Sequence, residues 1–110
     1  MILTITLNPA VDKVYKLDDF YVGEVFRASQ VEMEAGGKGI NVAKVCNMLG
    51  ERVIATGFLG GSAGAFIRGS ISEHNIADSF IDIEGETRTS ITIADLKGQT
   101  TTEILEKGPN

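Results

Sequence analysis

A single segment, Ala35-Gly36-Gly37-Lys38-Gly39-Ile40-Asn41, constrains the fold of this chain more than any other. Before it, residues 31–35 alternate between apolar and acidic side chains, which is typical of a half-exposed strand. After it, apolar residues recur at the spacing of one helical face: Val42, Val45, Cys46 and Leu49. The segment therefore predicts a turn from a strand into a helix that ends at Gly50, as in α/β folds.

The remaining pattern supports the same fold class. Residues 2–7 and 53–58 are short β-branched or apolar runs, which predict two strands. A second helix is predicted through Phe66 and Ile71, with Ser62 as its N-cap and its end near Asn75. Residues 79–83, 89–95 and 100–105 then predict strands separated by turns at Gly85 and at 97–99. We expect an α/β layered architecture with an additional patch of β-sheet.

Composition limits the function classes that this chain can belong to. Its 110 residues are 43% hydrophobic and 23% charged, which is typical of one globular domain. A net charge of −5 with few aromatic residues argues against nucleic acid as a partner. Apolar runs are far shorter than the roughly 20 residues of a membrane span, and the start lacks a basic leader region. We therefore expect no membrane association, and the lone Cys46 fits the reducing cytoplasm.

The glycine-rich turn has the chemistry of an anion-binding site. Glycines bring bare N–H groups close to a ligand, and the following helix presents free N–H donors and its positive end. Lys38 adds a charge, and Asn41 can donate to and accept from a hydroxyl. A phosphorylated polyol would suit this set, although spacing alone leaves a plain turn with a solvated lysine equally open. Neither a Walker A loop nor a dinucleotide-binding fingerprint is present.

Three charged residues outside this turn are further candidates for ligand contacts. Asp12 follows the first predicted strand, where α/β sheets bind ligands, although an aspartate in a loop is more often a turn former. Arg88 can bind a phosphate through its forked guanidinium, with simple exposure as the alternative, and Arg27 has weaker support. His74 is expected to be a solvated residue at a helix end. No spacing of His, Cys or carboxylates predicts a metal site.

Several motifs in chain order resemble the ribokinase-like carbohydrate kinases, also called the phosphofructokinase B family. Residues 35–43 resemble the first signature of that family, and its lysine is typical of the branch that accepts phosphorylated ketohexoses. Matching segments cover the whole chain: Thr6-Leu7-Asn8-Pro9-Ala10-Val11-Asp12, Thr56-Gly57-Phe58-Leu59-Gly60-Gly61, Glu86-Thr87-Arg88, and residues 102–105 with Gly108-Pro109. Residues 102–109 are nearer to the members that act on tagatose 6-phosphate than to those that act on fructose 1-phosphate.

The resemblance implies a fold and a set of roles. The chain would be a partial kinase domain over residues 1–110, with core elements at 1–9 and 36–76 and a β lid at 10–35 and 77–105. The lid would close over the sugar and could pair between subunits in a homodimer. The sugar-phosphate contacts implied are Asp12, Gly36, Gly37, Lys38, Gly39, Asn41 and Arg88, with Lys38 on the phosphate side.

The resemblance also implies ATP and Mg²⁺ as cofactors and the phosphorylation of a ketohexose monophosphate. The catalytic aspartate of the family lies in a Gly-Ala-Gly-Asp segment that these 110 residues do not contain. We therefore expect this chain alone to be inactive, because phosphoryl transfer depends on a positioned base and on charge stabilisation. The alternatives are a non-catalytic sugar-phosphate binder and an inert truncated product.

Overall fold

A computed structural model describes residues 1–109, so Asn110, the last residue of the expected domain, lies outside the described residues. The chain alternates strands and helices in its first half and is mainly strands in its second half. In chain order the elements are β1 (Ile2–Thr6), β2 (Ala10–Leu17), β3 (Gln30–Gly36), α1 (Lys38–Met48), β4 (Val53–Leu59), α2 (Gly61–Glu73), β5 (Ala77–Asp78), β6 (Ile81–Asp82), β7 (Arg88–Asp95) and β8 (Thr100–Leu105).

The strands form two sheets. In the core sheet β1 and β4 are parallel neighbours, and β5 and β6 both pair with β4 in parallel. In the outer sheet the order is β3-β2-β7-β8. There β2 pairs with β3 and β7 with β8 in antiparallel fashion, while the central pair of β2 and β7 is parallel.

Residues 77–83, which the expected lid includes, pair with the core sheet. The strand predicted over residues 79–83 is reduced to the two-residue strand β6, and β5 just before it also pairs with β4. Burial of Ile76 and Phe80 in the core holds this segment in place. Arg68 of α2 adds to this, because its guanidinium lies 2.5 Å from Asp78 and 2.7 Å from Asp82. Its Nη2 also donates to the Phe80 carbonyl at 3.2 Å, which holds the segment against α2.

Both helices pack against the core sheet and also contact the outer sheet. Ile40 and Ala43 of α1 and Ile67 and Ile71 of α2 are fully buried. They join a core that includes residues of both sheets: Val11, Ala35, Val53, Ala55 and Leu59. Neither helix within residues 1–109 is long and apolar enough to cross a membrane.

The apolar face that the spacing predicts for α1 is not the face that packs against the core. Val42, Val45 and Leu49 are 51%, 55% and 78% exposed, and only Cys46 of the predicted set packs against the core. The helix is apolar on more than one side, so periodicity alone could not choose the buried side. The turn at Gly37 fixes the rotation of the helix and directs Ile40 and Ala43 towards the core.

The predicted end of α1 is confirmed, whereas the predicted start of α2 is wrong. Gly50 adopts a φ of 89°, and its N–H donates to the Asn47 carbonyl at 3.0 Å while Glu51 donates to Cys46 at 3.1 Å. These two bonds form a Schellman motif. At the start of α2 the N-cap is Gly60 rather than Ser62, which lies inside the first turn.

Candidate functional site

Strand register brings part of the predicted site together on one face of the outer sheet. Ala10 lies opposite Gly36 of β3 on one side and opposite Arg88 of β7 on the other. Residues in register on adjacent strands project to the same face. Gly36 and Arg88, which are far apart in sequence, therefore flank the start of β2.

Asp12 lies in β2 and not in a loop as the sequence suggested. It is two residues from Ala10, so it shares the face of Gly36 and Arg88, and its neighbours in register are Glu34 and Ser90. A Cβ on residue 36 would overlap the Asp12 carboxylate, so a side chain there would displace this carboxylate from its present position. Burial raises the pKa of Asp12, and the Arg88 guanidinium opposes that shift.

The glycine turn places the start of α1 beside this face. Gly37 is the N-cap with a φ of 125°, a conformation that favours glycine, and a Cβ there would lie 2.6 Å from the Thr6 methyl group. The Asn41 N–H donates to the Gly37 carbonyl at 2.9 Å. The N–H groups that precede it have no acceptor within the helix, and the exposed Lys38 and Asn41 side chains lie in this first turn. The turn therefore offers donors and a positive charge to an anion.

Arg88 keeps much of its hydrogen-bonding capacity free. Its Nη2 donates to the Asn8 carbonyl at 3.3 Å, a long hydrogen bond. Its Nε is buried and has no partner among the described residues. A buried donor without a partner is costly, so this guanidinium is suited to a ligand that supplies acceptors.

Sequence reasoning assigned Arg88 but missed the two residues before it that hold it. Glu86 Oε1 accepts from the Ala63 N–H at 2.9 Å and from the Ser62 hydroxyl at 3.0 Å. Thr87 is 2% exposed; its hydroxyl accepts from the Gly60 N–H at 2.9 Å, and its own N–H donates to the Gly60 carbonyl at 3.0 Å. The N-terminus of α2 therefore anchors the segment from which β7 and Arg88 begin.

Lys44 was also missed as a neighbour of Asp12. It is a part-buried residue of α1 whose Nζ donates to the Ala35 carbonyl at 2.6 Å, and its charge lowers the pKa of Asp12. The partners of Lys44 and Glu86 lie 9 and 23 or more residues away, so no local pattern identifies them.

The other candidates lie elsewhere. Arg27 is exposed in the connection between β2 and β3. His74 is the C-cap of α2, and its Nδ1 lies 2.8 Å from the Ser70 carbonyl oxygen. Within residues 1–109 no group of three or more His, Cys, Asp or Glu side chains is arranged to hold a metal ion. We therefore assign no residue to Mg²⁺ or to ATP.

A cavity of about 320 Å³ adjoins the site at the carboxyl ends of β1 and β4. Its lining includes Asn8, which accepts from Arg88, and Thr87. Asp12 does not line it. A ligand that contacts Asp12 and Arg88 would therefore lie across the face of the outer sheet and not inside this cavity.

Comparison with known proteins identifies relatives of this chain. The sequence profile of the pfkB family carbohydrate kinases matches residues 2–110. Tagatose-6-phosphate kinases from two strains of Staphylococcus epidermidis are 53% identical over 109 residues, which is 99% of this chain and 34% of theirs. The chain thus spans about a third of the length of these curated relatives.

Solved structures agree with the expected fold. A possible 1-phosphofructokinase from Thermotoga maritima is 41% identical with a TM-score of 0.89 over 100% of this chain and 36% of its own. A ribokinase from the same organism, at 22% identity, has a TM-score of 0.80 over 98% of this chain and 36% of its own. The second similarity shows the fold alone. The expected ribokinase-like α/β fold, as part of a larger fold, is confirmed.

Proposed function

Because this chain belongs to the pfkB family of carbohydrate kinases, we propose that it provides the sugar-phosphate site of a kinase that phosphorylates a ketohexose monophosphate. The curated relatives at 53% identity are named tagatose-6-phosphate kinases, which favours tagatose 6-phosphate over fructose 1-phosphate. ATP would supply the phosphoryl group, with Mg²⁺, as is typical of the family. Every role below concerns sugar binding by residues of this chain.

The observation that carries the proposal is the strand register of the outer sheet. Gly36 and Arg88 lie on either side of Ala10, and Asp12 is two residues further along β2 on the same face. A carboxylate next to a guanidinium and a glycine turn matches the chemistry of a phosphosugar, which presents hydroxyls at one end and a dianion at the other. Asp12 would accept hydrogen bonds from sugar hydroxyls, and Asn41 would contact a further hydroxyl. The backbone of Gly36, Gly37 and Gly39 would allow the sugar to approach closely.

The phosphate of the substrate would bind between Lys38 and Arg88. Arg88 offers a buried unpartnered Nε–H, and Lys38 adds its charge at the start of α1, where the helix dipole also favours an anion. Binding at both ends would hold the acceptor hydroxyl in one orientation, which is the main contribution that a sugar site makes to phosphoryl transfer.

Kinetics of the native enzyme test this assignment. Lys38→Ala should raise the KM for the phosphosugar by about tenfold or more, the effect of one lost charge-assisted hydrogen bond, and change the KM for ATP little. Lys97→Ala is the control, because Lys97 is an exposed lysine in the turn between β7 and β8. Equal changes in both KM values would contradict the phosphate role of Lys38.

A non-catalytic sugar-phosphate binder is the second candidate. The proposed roles of Asp12, Asn41, Lys38 and Arg88 all concern binding, which a protein without catalytic activity would also provide. A thermal-shift panel of tagatose 6-phosphate, fructose 1-phosphate, fructose and ATP, combined with a phosphoryl-transfer assay, separates the two. Stabilisation by phosphosugars without transfer supports the binder, and no response to any ligand supports an inert product.

The second face of the outer sheet supports a proposed homodimer. Val31, Met33 and Ile104 are 50%, 45% and 55% exposed there, which leaves an apolar surface open among the described residues. Pairing of this face between two copies would cover it. Sedimentation of the native protein, with Met33→Lys as the variant expected to dissociate, tests the pairing. We also propose a cytoplasmic location, which fits a phosphosugar substrate.

A further inference from the structure

Lys44 joins helix α1 to the end of the outer sheet. Its ammonium donates to the Ala35 carbonyl at 2.6 Å, in a part-buried contact between α1 and the edge strand β3. Ala35 immediately precedes Gly36, where the chain leaves the sheet for the helix. The lysine therefore fixes the strand end that forms one wall of the Asp12 site.

The same contact places the charge of Lys44 near Asp12. Gly36 packs directly against the Asp12 carboxylate. Because the ammonium is anchored on the residue before Gly36, it acts on this carboxylate from the α1 side, whereas Arg88 acts from β7. The two cations thus approach Asp12 from different elements.

Five effects set the charge state of Asp12. Burial raises its pKa most, Arg88 and Lys44 lower it, and the carboxylates of Glu34 on β3 and Glu103 on β8 raise it. These groups come from every element that faces Asp12 with a charge: β3, β7, β8 and α1. The net result is a raised pKa, and each of the two cations opposes that rise.

Binding of the substrate would weaken the electrostatic effect of one of these cations on Asp12. Under the proposed function Arg88 engages the phosphate dianion, which neutralises its charge as seen by Asp12. Lys44 is held by a backbone carbonyl and is not among the residues assigned to the phosphate. It would therefore act on Asp12 in the free and bound states alike.

We propose that Lys44 is a further positioning residue of this site, which fixes the Ala35–Gly36 turn against Asp12 and keeps a positive charge near that carboxylate while Arg88 is engaged by the substrate phosphate. The inference rests on the proposed function for its role in binding. The electrostatic effect of Lys44 on Asp12 also exists in the ligand-free protein, so it can be tested independently of substrate binding.

The first test is a pH titration of the Asp12 carboxyl carbon by NMR in the ligand-free native protein. Lys44→Met should move the titration midpoint upward, and Lys44→Arg should restore it. Lys13→Met is the matched control, because Lys13 adjoins Asp12 in β2 but projects to the opposite face. An unchanged midpoint in Lys44→Met, or an equal shift in Lys13→Met, would overturn the inference.

The second test follows tagatose 6-phosphate binding by calorimetry between pH 5 and pH 8. Lys44→Met should bind about fivefold more weakly than the native protein at the acid end of this range, the size expected for one lost charge contact, and the difference should narrow as the pH rises. An equal loss at every pH would refute the charge role. If the native protein also fails to bind, the proposed function fails, whereas the NMR titration still decides the role of Lys44.

Discussion

The Asp12 carboxylate occupies the space that a side chain at Gly36 would need. The two residues lie on adjacent strands, and a Cβ on residue 36 would overlap Oδ2 and approach Cγ within 2.6 Å. Gly36 here has no need of a glycine-only backbone conformation, because its φ is not in the positive region. The glycine therefore leaves room for the neighbouring carboxylate in its present position, and the turn itself does not require it.

Gly36→Ala should accordingly displace Asp12 and weaken phosphosugar binding. The expected loss is about ten- to hundredfold, the equivalent of about 1.5–3 kcal/mol for a hydrogen bond to a charged group. Calorimetric titration measures it. Gly69→Ala is the control, since nothing lies within 4 Å of a Cβ at that helical position, and it should bind normally and be slightly more stable. Unchanged binding by Gly36→Ala would refute this role for the pair.

Asp12→Asn should make the fold more stable at neutral pH while it abolishes sugar binding. The pKa of Asp12 is raised from 3.8, first by burial, so the folded state disfavours the carboxylate. The native protein is therefore penalised above that raised pKa, and the penalty disappears as the pH falls below 3.8. Melting temperatures at neutral and acidic pH should show a variant advantage that vanishes in acid. A constant advantage at all pH values would rule out this electrostatic origin.

Much of the fold follows from the sequence, because its elements have strong local signals. The strand at residues 100–105 and the glycine end of α1 are where the pattern placed them. The predicted buried side of α1 was wrong because Val42 and Ile40 are equally apolar. Tertiary contacts, and not the local sequence, decide which side of the helix packs against a sheet. β5 and β6 depend on contacts with β4 and α2 that have no local signature, including the ion pairs of Arg68 with Asp78 and Asp82.

Only the part of the site that is continuous in sequence could be predicted. The Gly36–Asn41 turn is continuous in sequence, so its chemistry could be read directly. The pairing of Arg88 with Ala10 joins residues that are far apart in the chain, and only strand register reveals it. The roles of Lys44 and Glu86 depend on side-chain contacts across elements, which composition and spacing do not encode.

Arg88→Met should reduce discrimination between phosphorylated and unphosphorylated sugars. Loss of the forked guanidinium removes charge-assisted hydrogen bonds to the phosphate, so affinity for tagatose 6-phosphate should fall about ten- to hundredfold while affinity for unphosphorylated tagatose changes little. Competition binding with both sugars measures the ratio. Arg27→Met, at the exposed arginine between β2 and β3, should leave the ratio unchanged. Equal losses for both sugars would contradict a phosphate contact.

Glu86→Ala should destabilise the protein more than Glu86→Gln does. The N–H of Ala63 and then the hydroxyl of Ser62 lower the pKa of Glu86 from 4.5, so its stabilising effect is full above 4.5 and is lost as the pH falls through the lowered pKa. Glutamine can still accept from the Ala63 N–H but lacks the charge that favours a helix N-terminus. Thermal melts between pH 2 and pH 7 should show the native advantage over Glu86→Gln only above that pKa. Glu84→Ala is the exposed control, and an equal effect there would refute the capping role.

The uncovered face of the core sheet should make a polypeptide of these 110 residues associate with itself. Leu3 and Ile5 of β1 are 59% and 60% exposed, and Phe58 of β4 is 38% exposed on the same face. Exposed apolar patches of this kind favour association. Ile5→Lys should therefore lower the apparent mass in sedimentation velocity, because a charge at the centre of the patch resists burial. Lys97→Glu, in the exposed turn between β7 and β8, should leave the mass unchanged, and a monomeric native polypeptide would contradict the prediction.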